Sequence, residues 1–382
     1  MVFKKSYYKN IGIDASRSVS GGAIEHLKGI LNHSSYKLNK IKKVHLWAPS
    51  STLVKLPNYS WLEKNSTDFL GKFIFKKLFW QIFTLPKICK KLRLNILFNT
   101  SSSSLCLFKP SATLLQDIIP FENKIMSMYR YYQISFYRNL ILRFVFIRCL
   151  KNTKHIIFLS KYSMKVASNY IKIKNFTIIP HGSDKYFFNV NYKKIIKKKN
   201  YQINTLYLSN ALMYKNQSKV IEAIFKIRKR YQINIKLKIV GGGSGLALKE
   251  MTQAKLKFDK DNKFIKLCGF KKKNQIKKDY QNSHIFIFAS SCESFGITLL
   301  EAMSTGIPIA CSNKSSLPEI IKNNAVYFDP ENIEEIVGAI MKIIRNNRLR
   351  NKISSGAKKR SKYYTWKKSS KLTWHTLYKA CN

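Results

Sequence analysis

Residues 285–311 constrain the fold of this chain more than any other stretch, because their pattern is that of a strand, a loop, a helix, a turn and a second strand. An apolar run with β-branched residues at 285–288 ends in small polar residues, as a buried strand does. Apolar residues at 299–303 form one face of a helix, and Gly306 and Pro308 end that helix before the next apolar run. The stretch therefore predicts a helix enclosed between two strands.

Two carboxylates lie in this unit, Glu293 in the loop and Glu301 inside the helix. Backbone N–H groups at a helix N-terminus bind phosphate well, and here we expect them from four residues: Ser294, Phe295, Gly296 and Ile297. Because Glu301 lies within the helix, its side chain reaches a different part of the same ligand than Glu293 does. The alternative is a buried strand–helix unit with two incidental surface glutamates. The chain has only 19 acidic residues against 70 basic ones, which disfavours two idle carboxylates at one loop.

The context of the two glutamates is also distinctive. Seven residues separate Glu293 from Glu301, and the surrounding sequence contains Phe-Gly at 295–296, Ala-Met at 302–303 and Gly-Ile-Pro-Ile-Ala at 306–310. This pattern closely resembles that of the group 1 family of retaining nucleotide-sugar glycosyltransferases. The resemblance implies the GT-B fold, in which two Rossmann-like parallel-sheet domains face a cleft and a C-terminal helix crosses back to the first domain. It also implies that Glu293 is catalytic, contacting the donor sugar, and that Glu301 binds the ribose of the donor.

The length and the net charge of the chain limit the number of domains and the kinds of partner to expect. A chain of 382 residues can bury large cores, and two domains are the better expectation. The net charge of +51 is spread almost evenly, with +24 in residues 1–183 and +27 in residues 184–382. Such a charge favours anionic partners, namely nucleic acid, anionic lipid or phosphorylated substrates, although a compositional bias toward lysine contributes to it.

Cysteine usage and hydropathy indicate the compartment. Seven cysteines form no CxxC pair, so we expect free thiols in a reducing compartment and neither a zinc site nor a disulfide framework. Lys4 and Lys5 precede a strand, not the apolar core of a signal peptide. Arg143 and Arg148 interrupt the best apolar run. We expect a cytoplasmic protein that touches a membrane, if at all, at the inner face of the cell membrane.

A glycine pair follows the first predicted strand, residues 10–15. Gly21 and Gly22 then lead into a predicted helix, and a strand–glycine–helix unit lets backbone amides approach a phosphate closely. The same pattern is equally typical of a tight turn between a strand and a helix. The resemblance implies that this pair borders the donor diphosphate and the acceptor cleft.

A second candidate in the first half is Asp117, which follows a predicted strand at 112–116. Many members of the resembled family have His-Asp here, with the histidine beside the reacting sugar, whereas this chain has Gln116 and Asp117. Asp117 is therefore a catalytic candidate or, equally, a cap of its own loop.

Two basic stretches of the first half are predicted to be helical, residues 69–91 and residues 126–150. The second mixes arginines with aromatic residues, among them Arg130, Tyr132 and Arg138. An amphipathic helix of this kind fits an anionic membrane surface or a lipid–phosphate acceptor. An ordinary helix with solvated arginines explains the pattern equally well.

In the second half, the loop 209–217 joins a predicted strand to an amphipathic helix. The resembled family has an Arg and then a Lys here, both neutralising the donor diphosphate. Lys215 matches the second, and Asn210 lies near the position of the missing arginine. Gly269 and Phe270 lie where family members contact the nucleotide base.

Strands alternate with helices throughout, which predicts two parallel-sheet α/β domains. We place an acceptor-binding domain at 1–188, a nucleotide-sugar-binding domain at 189–365 and a returning C-terminal helix at 366–382. By resemblance, the activity is transfer of a hexose from a nucleotide-diphosphate donor to a hydroxyl of a glycan or lipid-linked acceptor in surface polysaccharide synthesis, with retained anomeric configuration. No cofactor or metal is implied beyond the donor itself.

Two rival functions remain at this point. The net charge of +51 fits a nucleic-acid-binding protein, but the chain contains no recognition module or zinc spacing, so we expect no nucleic acid partner. A sugar-nucleotide epimerase or a phosphorylase would keep the fold and change the reaction.

Overall fold

The computed structural model of the chain describes residues 8–19, 21–33, 40–71, 73–129, 134–195 and 201–381. Arg130 and Tyr132, predicted to belong to a basic helix, lie outside the described residues. The chain divides into two compact units, one formed by Met1–Gly182 with Thr365–Asn382 and the other by Ser183–Tyr364. The domain boundary predicted at 188 and 189 lies a few residues after this division.

The first unit contains a seven-stranded parallel sheet with the strand order β3-β2-β1-β4-β5-β6-β7. Its strands are β1 (Lys9–Asp14), β2 (Ile41–Ala48), β3 (Leu62–Ser66), β4 (Ile96–Asn99), β5 (Ser111–Leu115), β6 (His155–Phe158) and β7 (Phe176–Ile178). Its helices, numbered along the chain, are α1 (Gly21–Asn32), α2 (Ser50–Leu53), α3 (Ile74–Phe79), α4 (Leu85–Lys91), α5 (Asn123–Met128), α6 (Ile134–Asn152) and α7 (Lys161–Ser168). A π-helical turn, Trp80–Thr84, joins α3 to α4.

The last helix of the chain also belongs to the first unit. This helix, α15 (Trp366–Ala380), packs along α1. Trp374 Nε1 donates to the carbonyl of Ile30 at 3.1 Å, and Ser370 Oγ donates to the same oxygen at 2.7 Å. Gly29 lies so close to the Trp366 ring that a Cβ there would be 2.1 Å from a ring carbon. The predicted return of the C-terminal helix to the first domain is therefore confirmed.

The helix predicted over residues 126–150 is divided in the structure. The backbone of Tyr129 is extended and ends α5, and α6 begins at Ile134. Arg143 lies inside the fold of this region, because its Nε donates to the carbonyl of Pro120 at 2.5 Å. The predicted amphipathic character is wrong as well, since α6 has apolar residues on both its buried and its exposed faces.

The second unit contains a six-stranded parallel sheet with the strand order β10-β9-β8-β11-β12-β13. Its strands are β8 (Ile203–Leu208), β9 (Ile235–Val240), β10 (Ile265–Leu267), β11 (Ile285–Phe288), β12 (Ile309–Ser312) and β13 (Val326–Phe328). Its helices are α8 (Gln217–Tyr231), α9 (Gly245–Phe258), α10 (Lys273–Gln281), α11 (Ile297–Thr305), α12 (Leu317–Ile321), α13 (Ile333–Arg345) and α14 (Asn347–Ser361).

Aliphatic residues fill the core of the second unit. Strand residues such as Ile235 and Ile287 pack against helix residues such as Ile224 and Ile340, all of them fully buried. Apolar runs of this kind suit parallel strands whose two faces are both covered by helices. Together the two sheets confirm the predicted pair of Rossmann-like domains. Among the described residues, no helix combines the length and the apolarity needed to cross a membrane.

Candidate functional site

The strand order of the second unit locates its crevice. β8 lies between β9 and β11, so the connections that leave β8 and β11 run toward opposite edges of the sheet. In open α/β sheets, ligands bind beyond the carboxyl ends of the strands at such a switch point. Two loops meet there, residues 209–216 after β8 and residues 289–296 after β11.

The two loops contribute an ion pair at this point. Lys215 Nζ donates to Glu293 Oε1, and the side chains are only 10% and 16% exposed. The ammonium also lies 5.1 Å from the ring centroid of Tyr214 and 5.5 Å from that of Phe288, a geometry in which aromatic faces attract a cation. An ammonium has three donor hydrogens, so Lys215 retains donors for a further acceptor. The structure thus brings together two residues that are 78 positions apart in the sequence.

Asn216 fixes the relative position of these loops. Its Nδ2 donates to the Ala289 carbonyl and to Ser291 Oγ, both at 2.9 Å, while its backbone adopts a left-handed conformation with φ of 53°. Asparagine tolerates that conformation better than most residues do. Ser291 N also donates to the carbonyl of Tyr214 at 2.8 Å. The sequence interpretation did not single out Asn216, although its place directly after Lys215 was the available signal.

Two serines that follow β12 position the backbone of Glu293. Ser315 Oγ accepts from Glu293 N at 3.0 Å, and Ser316 Oγ donates to Glu293 O at 2.8 Å. The glutamate is therefore held on both sides of its Cα, and its side chain is restricted to the neighbourhood of Lys215. No local pattern in the sequence indicated this role for Ser315 or Ser316.

The N-terminus of α11 comes directly after the loop that contains Glu293. Gly296 precedes the helix with φ of 89°, a conformation that side chains rarely adopt. Phe295 is buried, and its ring packs edge-on against that of Tyr364. Ser294 and Ile297 are partly exposed beside it.

Glu301 lies one helical turn into α11 and is partly exposed. Burial raises the pKa of the Tyr280 phenol well above its ordinary value, and the nearby Glu301 carboxylate raises it further. Glu301 and Glu293 therefore belong to the same strand–loop–helix unit. That they contact different parts of one ligand stays a prediction.

The remaining predicted donor residues of the second unit lie at the same end of the sheet. Asn210 is exposed, and its backbone carbonyl accepts from Gln217 Nε2 at 2.8 Å. Gly269 O accepts from Gly241 N at 2.8 Å, which joins the loops after β9 and β10. Phe270 is 74% exposed and its ring covers Gly242, where a Cβ would lie 2.1 Å from a ring carbon. An exposed ring held in this way offers a stacking surface.

The surroundings of Glu293 keep its neighbours neutral. Burial raises the pKa of the Cys311 thiol far above its ordinary value, and the Glu293 carboxylate adds to that rise. Burial likewise raises the pKa of Tyr207, whose hydroxyl donates to the Lys215 carbonyl at 2.5 Å.

Three predicted site residues belong to the first unit. Gly21 begins α1 with φ of 57°, and Gly22 follows it in the first turn. Asp117 is exposed, and its Oδ1 accepts from the backbone N–H of Ile119 at 2.9 Å. Of the two roles predicted for Asp117, the structure contains the loop cap, and its part in catalysis stays a prediction.

The sequence interpretation missed a polar cluster at the carboxyl ends of β1 and β4. Asp14 is 4% exposed, and it accepts from Ser16 Oγ at 2.7 Å, from Gln81 Nε2 at 2.8 Å and from Ser104 Oγ at 3.2 Å. Burial lowers the pKa of the Arg17 guanidinium, an effect that the nearby Asp14 opposes. The run of four serines at 101–104 was the visible signal, and the π-helical turn that supplies Gln81 was not predictable.

A cavity of about 440 Å³ lies at the opposite, amino-terminal end of the second sheet. Its lining includes five lysines and no acidic residue: Lys236, Lys238, Lys255, Lys263 and Lys266. It is separate from the Lys215–Glu293 pair, which lies beyond the carboxyl ends of the strands.

Comparison with known proteins agrees with this geometry. The family model of glycosyl transferases group 1 matches residues 189–360. The match covers less than half of the chain, and it shows that this part of the chain is similar to group 1 glycosyl transferases. Lys215, Glu293 and Glu301 all lie within the matched residues.

Curated relatives of this chain include two enzymes named for O-antigen synthesis. O-antigen chain mannosyltransferase RfbU of Salmonella typhimurium is 25% identical over 249 residues, which is 64% of each chain. O-antigen chain mannosyltransferase B of Escherichia coli is 27% identical over 110 residues, which is 29% of each chain. In both cases, the chain matches less than two thirds of the relative's own length.

A solved structure extends the likeness over both units. Anabaena Alr3699/HepE, determined in complex with UDP and glucose, has a TM-score of 0.70 and is 17% identical. The alignment covers 96% of this chain and 97% of that chain. At this identity the comparison shows the fold, and the GT-B fold predicted from the sequence is confirmed.

Proposed function

We propose that this chain is a glycosyltransferase that moves a hexose from a nucleotide-diphosphate donor to a hydroxyl of a glycan or lipid-linked acceptor, with retention of the anomeric configuration. The observation that carries the proposal is the Lys215–Glu293 ion pair at the switch point of the second sheet, beside the N-terminus of α11. The match of residues 189–360 to the family model of glycosyl transferases group 1 supports it.

The diphosphate would lie between Lys215 and the N-terminus of α11. Lys215 supplies a positive charge that the two loops hold in place. The N-terminus of α11 adds the positive end of its helix dipole. These groups stabilise the negative charge that develops on the leaving nucleoside diphosphate, and their prior positioning is what makes such stabilisation effective.

The two glutamates take different parts of the donor in this proposal. Glu293 contacts the transferred sugar, whose anomeric carbon gains positive charge as the bond to phosphate breaks. Glu301 hydrogen-bonds the ribose, and the exposed ring of Phe270 stacks on the base. A carboxylate dedicated to ribose does not fit the pair of catalytic carboxylates that a glycoside hydrolase uses.

Retention follows from attack on the face that the leaving group occupies. The acceptor oxygen forms a bond to the anomeric carbon while the bond from that carbon to the phosphate oxygen breaks. The proton of the acceptor hydroxyl passes to the departing phosphate oxygen. Lys215 and the helix N-terminus neutralise the diphosphate here, so the proposed mechanism assigns no step to a metal ion.

The relatives named O-antigen chain mannosyltransferases support a role in surface polysaccharide synthesis. UDP and glucose, named with the Anabaena structure, make a UDP-hexose the first donor to test here.

A thermal-shift panel of nucleotide sugars tests the proposal. We expect one or a few nucleotide sugars to raise the melting temperature, because a ligand that binds only the native state stabilises it. The corresponding nucleoside diphosphate should produce a smaller shift in the same direction. A shift with single-stranded or duplex nucleic acid and none with any nucleotide sugar would contradict the proposal.

A further inference from the structure

Exposed phenylalanine side chains are concentrated in two segments of the first unit. Six of the eight exposed phenylalanines among the described residues lie in 69–83 or in α6. These six are Phe69, Phe73, Phe75, Phe79, Phe83 and Phe144. Exposed apolar side chains concentrated in this way are typical of an interaction site, whereas apolar residues scattered singly over a surface are ordinary.

In the first segment, residues 74–84 form a helix with two apolar faces. Phe75, Phe79 and Phe83 are spaced four residues apart and are 80%, 61% and 54% exposed. Because this spacing is close to one helical turn, the three rings form a row on one side. On the other side, Trp80 and Leu85 are buried in the core. The buried side therefore anchors the helix, and the phenylalanine row remains on the surface.

The second segment, α6, has the same construction. Ile134, Ile141 and Phe144 are 87%, 65% and 69% exposed, whereas Phe146 and Leu150 are buried. A surface helix that packs on its own unit through one stripe normally has polar residues on the opposite side. The apolar exposed side of α6 is therefore unexplained by the packing of the first unit.

The topology places both segments on one side of the sheet. The connections from β3 to β4 and from β5 to β6 run in the same direction across the strand order, and the connection through α1 runs the opposite way. Because crossovers between parallel strands are almost always right-handed, the two apolar segments share a face, and α1 covers the other.

The charge on this face is of one sign. Residues 69–93 contain seven basic residues and no acidic residue, and residues 134–152 contain four basic residues and no acidic residue. Lys76, Lys87, Arg138 and Arg148 are exposed among the apolar side chains. Arg143 is not part of this surface, since it donates to the Pro120 carbonyl. A partner for this face must therefore combine negative charge with an apolar layer.

We propose that the exposed side chains of residues 69–93 and α6, here named the membrane face, dock onto an anionic lipid bilayer. The phenylalanine and isoleucine side chains enter the interfacial region, and the surrounding lysines and arginines lie at the level of the anionic headgroups. The location extends the sequence prediction, which assigned a membrane role to residues 126–150 alone. The inference concerns a surface apart from the candidate site and does not rest on the proposed function.

Co-sedimentation with vesicles tests this proposal. Vesicles of phosphatidylcholine with an equal part of phosphatidylglycerol should deplete the protein from solution, and phosphatidylcholine vesicles should deplete much less. Raised salt should weaken the binding without abolishing it, because salt screens the charges and leaves the apolar contribution. The triple variant Phe75→Ser, Phe79→Ser, Phe83→Ser should need at least about tenfold more lipid for half-depletion.

A matched control removes exposed apolar side chains elsewhere. The double variant Phe176→Ser, Leu256→Ser loses side chains that are 43% and 59% exposed, and its lipid binding should equal that of the parent. All variants change surface residues, and equal melting temperatures check that each is folded. Binding by the triple variant at the parent's level, equal binding to both vesicle types, or no binding to either would overturn the proposal. A dimer that the triple variant dissociates, without lipid binding by the parent, would assign the face to a second copy instead.

Discussion

Replacing Lys215 by alanine should lower both the stability of the chain and its affinity for a nucleoside diphosphate, for separate reasons. The stability effect arises because Glu293, whose side chain is 16% exposed, loses its ion-pair partner. Removing one partner of a fully buried pair costs about 3–5 kcal/mol of unfolding free energy, and partial exposure reduces the cost, so we expect a loss of roughly 1–3 kcal/mol.

The affinity effect arises because Lys215 also donates to the diphosphate in the proposed complex. A hydrogen bond to a charged group contributes roughly 1.5–3 kcal/mol. At about 1.4 kcal/mol for each factor of ten, the dissociation constant should rise roughly 10-fold to 150-fold. The rise should be similar for the nucleoside diphosphate and for the intact sugar donor, because both contain the group that Lys215 contacts.

Isothermal titration calorimetry and denaturant unfolding on a double-mutant cycle separate these effects. Lys215→Ala combined with Glu293→Gln removes both charges, so part of the lost unfolding free energy should return. The diphosphate affinity should stay low in that double variant. As a control, Lys226→Ala removes a lysine whose Nζ lies 2.9 Å from Glu334, and it should bind the diphosphate as the parent does.

Unchanged diphosphate affinity in Lys215→Ala would refute the reasoning and leave Lys215 as a structural partner of Glu293. An equal loss in Lys226→Ala would indicate an effect of net charge instead of a local contact.

Three further predictions concern the glutamates, a glycine and a buried histidine. Glu293→Gln should lower kcat on the order of 100-fold. Glu301→Gln should mainly raise KM, because a ribose contact changes little during the reaction. If steady-state kinetics show the reverse pattern, the two roles must be exchanged. Gly296→Ala should lower the unfolding free energy by about 1–2 kcal/mol, because φ is 89° there, whereas Gly338→Ala, in a helix with open space around it, should raise it. Burial lowers the pKa of His26 from 6.5 to about 4. Between pH 6.5 and pH 4, the unfolded chain therefore binds a proton at this side chain that the folded chain does not bind. The unfolding free energy should fall by about 1.4 kcal/mol for each unit by which the pH is lowered through this range. Thermal unfolding of His26→Gln across this range should show a shallower pH dependence, and an unchanged slope would contradict this origin.

The strand at the start of the central stretch was predictable because its apolar run is followed by small polar residues. The apolar run at 285–288 matches β11 in the structure. The short strands β7 and β13 were not predicted.

The predictable site residues are those for which both the side-chain chemistry and the local sequence pattern indicate a site. Glu293, Glu301 and Lys215 each lie in a recognisable strand–loop–helix context, and the structure brings the first and last of them into contact. The supporting contacts were not predictable, since Asn216 and Ser315 act through bonds to residues distant in sequence. Such pairings depend on strand order, which local sequence does not specify.

The exposed apolar face of the first unit was also not predictable from local sequence. The sequence shows that residues 69–91 are apolar, basic and helical, but not which apolar residues are buried. Trp80 and Phe79 are neighbours in the chain, yet they are 3% and 61% exposed. Only the position of the helix on its sheet separates the core side from the surface side.

The central claim is that a nucleotide-sugar donor binds where β8 and β11 end, and hydrogen-exchange mass spectrometry with and without a stabilising nucleotide sugar tests it most directly. We predict slower amide exchange in residues 209–217 and 289–297 when the donor is present. Residues 262–267, at the opposite end of the same sheet, should exchange at an unchanged rate. Protection confined to 262–267, or bound donor without protection in either loop of the Lys215–Glu293 pair, would contradict the account.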